Sequence, residues 1–219
     1  MHGPPTRYQA LITTEDIDPG SVRALLRLRK RLFVDKCGWQ LPTQGDIERD
    51  QFDTAGAQHC LLFHRGELVG GFRAIRTDQP YLSQEIAPHL AERGFPRSPD
   101  IWEISRFGVL PPVGNGVEAA RMNYAAMFRF AESRRATSLV ALADLAYERF
   151  LGRMDIITHR LGAPAIIGTD SRGASLTAVA GEIPLDPAIN RGLHKFLDLS
   201  RNLEIQDDTR ILRRASIPA

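Results

Sequence analysis

The chain has 219 residues, 43% of them apolar, and a formal net charge of +2 from 28 Lys and Arg against 26 Asp and Glu. That length supports one substantial core, and so small a charge excludes a generally basic nucleic-acid binder. No apolar run approaches the roughly 20 residues of a membrane helix, and Cys37 and Cys60 lack metal-ligand spacing.

No positively charged segment followed by an apolar run opens the chain. A cytoplasmic protein with reduced thiols is therefore expected, with neither nucleic acid nor membrane as a partner and no metal.

Tyr8 to Thr13 has strand character, and Ser21 is expected to cap a helix after the turn-rich Thr14 to Gly20. On a helical wheel Val22, Leu25, Leu26, Leu32 and Phe33 share one face, with Arg29 at its centre. A long cation there either snorkels to water or meets an acid. Candidate acids follow in the polar loop Gly38 to Gly56, which holds Trp39 and the series Glu48-x-Asp50-x-x-Asp53. They either reach Arg29 from one side or face solvent.

Gln58 to His64 and Glu67 to Thr77 read as a hairpin around Arg65-Gly66. In its second strand Arg73 is in phase with Val69 and Ile75, and Gly70-Gly71 mark a bulge or a close backbone approach. Tyr81 to Arg93 is helix-like. Trp102 to Val109 then alternates as a strand does, yet carries Glu103, Ser105 and Arg106 in its middle. A charged interior strand implies either a satisfied ion-pair network or a reaction site.

Gly114-Asn115-Gly116 opens a helix over Val117 to Arg135, as either a phosphate-holding terminus or a plain turn. Leu139 to Ala143 reads as a strand, and Asp144 caps a helix through Arg153. Asp155 to Arg160, Ala165 to Thr169 and Ala174 to Glu182 read as closing strands, before a helix around Leu193 to Leu199 and a polar tail. Helices and strands alternating in this way argue for an α/β fold, a three-layer α-β-α sandwich with a mixed central sheet.

Arg29-x-x-x-Phe33, Trp39, Glu48-x-Asp50-x-x-Asp53, Arg73 and Glu103-Ile-Ser105-Arg106-Phe107, in this order and spacing, resemble the acyl-homoserine-lactone synthase family, which makes bacterial quorum-sensing signals. The likeness runs from about Tyr8 to Ile183, with echoes in Tyr147-Glu148-Arg149-Phe150, Leu161-Gly162 and Ile167-Gly168. It implies a synthase domain over residues 1–183 with a fold similar to N-acetyltransferases, followed by a helical and polar extension over 184–219. It also implies two substrates, S-adenosylmethionine and an acyl thioester on acyl carrier protein or coenzyme A, and no permanently bound cofactor. The α-amino group of S-adenosylmethionine is acylated, and its carboxylate then displaces methylthioadenosine to close the lactone. An N-acyltransferase of the N-acetyltransferase type acting on another small amine is the alternative. The residue expected before the Gly114-Asn115-Gly116 turn is replaced by Pro111, which leaves coenzyme A less assured than a carrier protein.

By the same resemblance Arg29, Asp50, Asp53, Arg73 and Arg106 form a charge network around the S-adenosylmethionine cleft. Phe33 and Trp39 wall that cleft, and Glu48 and Phe107 support it. Glu103, Ser105 and Arg106 are the catalytic candidates. An amine with a pKa of about 8 must lose its proton before attacking a thioester, and an ordinary Glu lies ~3.5 units below it. Glu103 must then have a raised pKa or orient a water that acts as base. With Arg106 and Arg29 expected beside it, the water or a modest shift is favoured. The Ser105 hydroxyl or a backbone N–H along the strand would stabilise the oxyanion. Met122, Met127, Leu142 and Ala143 are candidates for the acyl tunnel. Ala143 stands where relatives preferring 3-oxo chains tend to carry threonine, so a donor without a 3-oxo group is expected. Arg121, Arg129, Arg134, Arg135, Arg149 and Arg153 form either a docking face for an acidic carrier protein or a solvated surface.

Overall fold

In the computed structural model, which describes residues 8–110 and 116–210, one long mixed sheet carries the fold. Its antiparallel half consists of β1 (Tyr8–Thr13), β4 (Gln58–His64), β5 (Glu67–Arg76) and β6 (Ile101–Val109), adjacent in that order. The short β2 (Thr43–Gln44) and β3 (Ile47–Glu48) pair separately within the polar loop. β7 (Ser138–Ala143) lies parallel to β6, and β10 (Ser175–Pro184) continues the sheet antiparallel to β7, pairing with β8 (His159–Arg160) and β9 (Ala165–Thr169). The far edge is β11 (Leu203–Asp207), parallel to β1.

α1 (Pro19–Arg29) covers one face, where Leu25 and Leu28 pack on Leu61 of β4. α2 (Leu82–Ile86) lies on the same side, against β6. The other face carries α3 (Gly116–Ser133), α4 (Leu145–Arg153) and α5 (Leu193–Leu199), which bury Phe128, Phe130, Leu151 and Phe196 in the main core. These are the three layers expected from the alternation of elements.

Several local expectations change. Asp18 rather than Ser21 caps α1: its carboxylate accepts from the Ser21 N–H at 2.9 Å, and Pro19 fills the first turn, where no N–H is needed. The helix then widens into a π turn over Lys30–Lys36. The segment expected as a helix from Tyr81 to Arg93 is only α2 and a 3-10 turn over Pro88–Leu90, because Pro88 forces Ala87 out of helical geometry. Within 155–160 only His159–Arg160 pairs, Asp155 having turned left-handed at φ 61°. The expected polar tail contains β11, whose Leu203 is buried while Glu204 is exposed, the alternation of an edge strand with one side on the core. Pro111, Gly114 and Asn115 lie outside the described residues, and α3 begins at Gly116.

Two features of β6 position a site. β6 and β7 are paired only from Ile101–Glu103 to Ser138–Val140, so a notch opens between the strands beyond Glu103. The second is a bulge on the β5 side.

Candidate active site

Regular alternation puts Glu103 and Ser105 on one face of β6 and Arg106 on the other. Arg106 instead sits at φ 53°, and the β5–β6 register slips beside it: Gly71 pairs with Gly108, but Arg73 pairs with Ser105. One extra residue on β6 makes a bulge. The strand's phase therefore reverses. Arg106 stays on the α1 side with Ser105, while Phe107 turns to the opposite face and packs on Tyr124 with ring centroids 4.5 Å apart. Phe107 thus lies on the face of the sheet opposite the arginines.

On the α1 side the arginines meet their acids. Arg29 is 1% exposed. Its Nε donates to Glu48 at 2.6 Å, and Nη1 and Nη2 donate to the two oxygens of Asp53 at 2.7 and 2.9 Å. Arg73 donates to Asp50, to Asp53 at 3.0 Å and through Nε to Ser105 Oγ at 3.1 Å. Nη2 of Arg106 donates to Asp50 at 2.7 Å and to Glu48 at 3.0 Å. The loop holds its own acids in place: Asp53 accepts from the Asp50 N–H, and Asp50 accepts from the Phe52 N–H, both at 2.9 Å. Arg29 therefore does not snorkel, and the acids do not face solvent. Of the basic residues Arg29 contributes most to holding the Asp53 carboxyl far below its usual range, against the opposing effect of burial.

Glu103 stands apart from this pairing. It is fully buried and accepts from the Ser83 N–H at 2.7 Å, the Leu82 N–H at 3.3 Å and the Ser83 hydroxyl. Burial pushes its pKa above the ordinary carboxylate range, outweighing the Ser83 bonds and the Arg73 charge that pull it down. This corrects the expectation that Arg106 and Arg29 hold it down. Both guanidiniums are committed to Glu48, Asp50 and Asp53. Glu103 still belongs to the same site, because Ser105, two residues along the same face, is bonded to Arg73. Counting named groups, Arg29, Arg73 and Arg106 stand against Glu48, Asp50, Asp53 and Glu103, one formal negative charge in excess when all are ionised. Such a charge balance favours a cationic ligand.

Phe33 is buried, and half-buried Trp39 stacks on it with centroids 5.0 Å apart. Trp39 also bridges to Asp170, and the Ser171 N–H donates to the Gly38 carbonyl at 2.7 Å, tying the acidic loop to the β9–β10 turn. An apolar groove of about 190 Å³ lies between α3 and α4, lined by Ala120, Tyr124, Ala146, Tyr147 and Phe150. Phe107, beyond the notch, contacts two of these rings. None of the four acyl-tunnel candidates lines that groove. Met122 and Met127 are in the main core, Leu142 packs beside Ala178 and Ala180, and Ala143 pairs with Val179. Arg134 is tied to Asp207 at 2.7 Å and to Gln58, which removes it from any docking face. Arg121, Arg129, Arg135, Arg149 and Arg153 are exposed.

The sequence reading missed Ser83 and His59. Ser83 was read as part of a helix, and nothing in its neighbourhood marks it as a partner for an acid 20 residues away. His59 lies opposite Arg73 on β4, is 1% exposed, and its Nδ1 has no hydrogen-bond partner among the described residues. Burial, aided by the Arg29 and Arg73 charges, pushes its pKa down to about 3 against the pull of Asp53. A base whose folded pKa is lowered loses stability as pH falls from its unfolded value of about 6.5 towards 3, since the unfolded chain takes the proton first. His59→Phe is accordingly expected to flatten the stability curve in that window, as measured by urea unfolding at a series of pH values.

Residues 15–187 match the sequence profile of the autoinducer synthase family. An acyl-homoserine-lactone synthase of Aeromonas salmonicida is 33% identical over 144 residues, covering 63% of this chain and 70% of that protein. The structure of TofI with an inhibitor and MTA superposes with a TM-score of 0.72 at 32% identity, over 85% of this chain and 96% of TofI. The fold is shared more widely: a Lactobacillus plantarum protein assigned as an N-acetyltransferase gives a TM-score of 0.55 at 16% identity, over 81% of this chain and 98% of that one.

Proposed function

We infer that this chain, which belongs to the autoinducer synthase family, synthesises an N-acyl-L-homoserine lactone from S-adenosylmethionine and an acyl thioester, releasing methylthioadenosine. The observation that carries the site assignment is the meeting of the arginine–acid network and Glu103 on one face of the sheet, beside the β6–β7 notch. S-adenosylmethionine bears an ammonium, a sulfonium and a carboxylate, net one positive charge, which matches the single excess negative charge of the site. The Trp39 face offers the sulfonium a cation–π contact worth ~0.5–2 kcal/mol.

Glu103, or a water it orients, takes the proton from the α-amino group, and the raised carboxyl pKa narrows the mismatch with the amine. The freed nitrogen attacks the thioester carbonyl in the notch. The Ser105 hydroxyl, whose oxygen already accepts from Arg73, or a strand N–H stabilises the resulting oxyanion, and collapse expels the thiol. One carboxylate oxygen then displaces the sulfonium at the γ-carbon, and methylthioadenosine departs as the ring closes. Nucleophile and leaving group belong to one molecule, so orientation alone is worth ~7–11 kcal/mol here. Arg29, Arg73 and Arg106, with Asp50 and Asp53, hold that orientation, with Glu48 as the shared buried acid behind them.

The acyl chain passes from the notch towards the groove lined by Tyr124, Tyr147 and Phe150. An acyl carrier protein is the donor we favour, docking on the exposed arginines of α3 and α4, with coenzyme A thioesters as the other source. The test is incubation with S-adenosylmethionine and a panel of carrier-protein and coenzyme A thioesters, with products identified by mass. One methylthioadenosine per lactone is expected, with saturated donors turned over faster than their 3-oxo counterparts. An acylated amine formed without methylthioadenosine contradicts the synthase assignment, and equal rates for the two donor types contradict the reading of Ala143.

A further inference from the structure

α3 is apolar along its buried face except at Asn123, which is fully buried. Its Nδ2 donates to the Gly71 carbonyl at 3.2 Å and to the Gly108 carbonyl at 3.5 Å, the two residues that pair immediately beyond the β6 bulge. Neither glycine has room for a side chain: a Cβ at Gly71 would meet the Cys60 carbonyl of the adjacent β4 and Leu25 of α1, and one at Gly108 would meet Leu32. The pair is thus confined by bulk from the α1 side and held by one amide from the α3 side. Rotating the amide would aim Oδ1 at two carbonyl oxygens, so repulsion sets its orientation. Oδ1 is left buried without a partner among the described residues. Leucine would fill a similar volume without that cost, so the donor to the bulge is what the amide adds.

We propose that Asn123 is a positioning residue for Arg106: by holding the Gly71–Gly108 pair it maintains the bulge that keeps Arg106 on the network side. Were alternation restored, Arg106 would turn towards α3, and Glu48 and Asp50 would each lose a guanidinium. The proposal rests on the reading of Arg106 as part of the S-adenosylmethionine cleft.

The experiment is a double-mutant cycle between Asn123→Leu and Arg106→Ala, reading KM for S-adenosylmethionine and kcat separately. Asn123→Leu is expected to raise KM about tenfold, the scale of one lost buried hydrogen bond, and to add nothing further in the Arg106→Ala background. A lower melting temperature with KM unchanged overturns the proposal, as does an Asn123→Leu effect of equal size in both backgrounds. If Arg106→Ala itself leaves KM unchanged, the cleft reading fails and the proposal with it. Asn123→Ala, which adds no bulk and favours helix, carries the same comparison should Asn123→Leu not fold.

Discussion

Glu103→Gln should lower kcat by about 10²–10⁴-fold, the usual contribution of a positioned general base, while the protein remains folded. Glutamine keeps the shape, and its one oxygen can still accept from the Ser83 N–H, at the loss of the longer bond that the Leu82 N–H makes to the other carboxylate oxygen. It cannot take a proton. The pH dependence separates this from a packing effect. Because burial raises the Glu103 pKa, kcat/KM of the native enzyme should fall as pH drops through that raised value, and this acid limb should vanish in the variant. Stability runs the other way. An acid whose folded pKa is raised contributes stability below its unfolded pKa and loses it as pH rises through the folded value. Glu103→Gln, with no buried charge to ionise, should therefore gain stability relative to the native protein as the solution is made more alkaline. A variant that loses activity and stability together at alkaline pH would point to a structural role instead.

Arg73→Met should have the largest effect on stability. Arg73 is fully buried and serves Asp50, Asp53 and Ser105 at once, so its removal leaves Asp50 to Arg106 and Asp53 to Arg29 alone, one cation short among largely buried acids. Removing one partner of a buried pair costs about 3–5 kcal/mol. For a chain of this size that corresponds to a fall of very roughly 10 °C in melting temperature. By contrast, the exposed pair Arg129–Glu132 should be replaceable at a cost below about 1 kcal/mol. Arg73→Lys should not rescue the variant, because a single ammonium lacks the planar fork that bridges two carboxylates and a hydroxyl. The deficit should shrink in acid. Asp53, with its depressed folded pKa, contributes stability above its unfolded value and loses it as pH falls through the folded one, whereas an Asp53 with fewer partners has less to lose. Thermal melts at several pH values read both trends.

Both effects arise from residues whose importance was legible because they break a pattern. Arg29 interrupts an apolar helical face, Arg73 an apolar strand, and Glu103 a strand with no other carboxylate, and in each case burial requires an explanation. The acidic loop was legible for the same reason, as a supply of partners. What escaped the sequence depends on chain segments distant from the residue concerned. The left-handed Arg106 is set by Gly71 and Asn123 on one side and by Glu48 and Asp50 on the other, and no local signal marks a bulge at an arginine. Strict period-2 reading puts that side chain on the wrong face. The pKa of Glu103 was assigned the wrong neighbours because Ser83 approaches from a short helix that hydrophobic periodicity lengthens and does not orient. Met122 and Met127 are buried in the main core, and a methionine that fills a core looks the same in sequence as one that lines a pocket. β11 is hard to tell from a polar tail because its five residues, Leu-Glu-Ile-Gln-Asp, offer only two alternating apolar positions, Leu203 and Ile205.

Nothing tests the shared-cleft claim more directly than a crystal structure of the protein with S-adenosylmethionine bound. In that complex the sulfonium is expected against Trp39 and the α-amino nitrogen within hydrogen-bonding reach of Glu103, directly or through one water, facing the notch between β6 and β7. A ligand seated instead in the larger cleft of about 1130 Å³ lined by Phe52, Arg76, Trp102 and Arg134, touching neither Glu103 nor the network arginines, would contradict it.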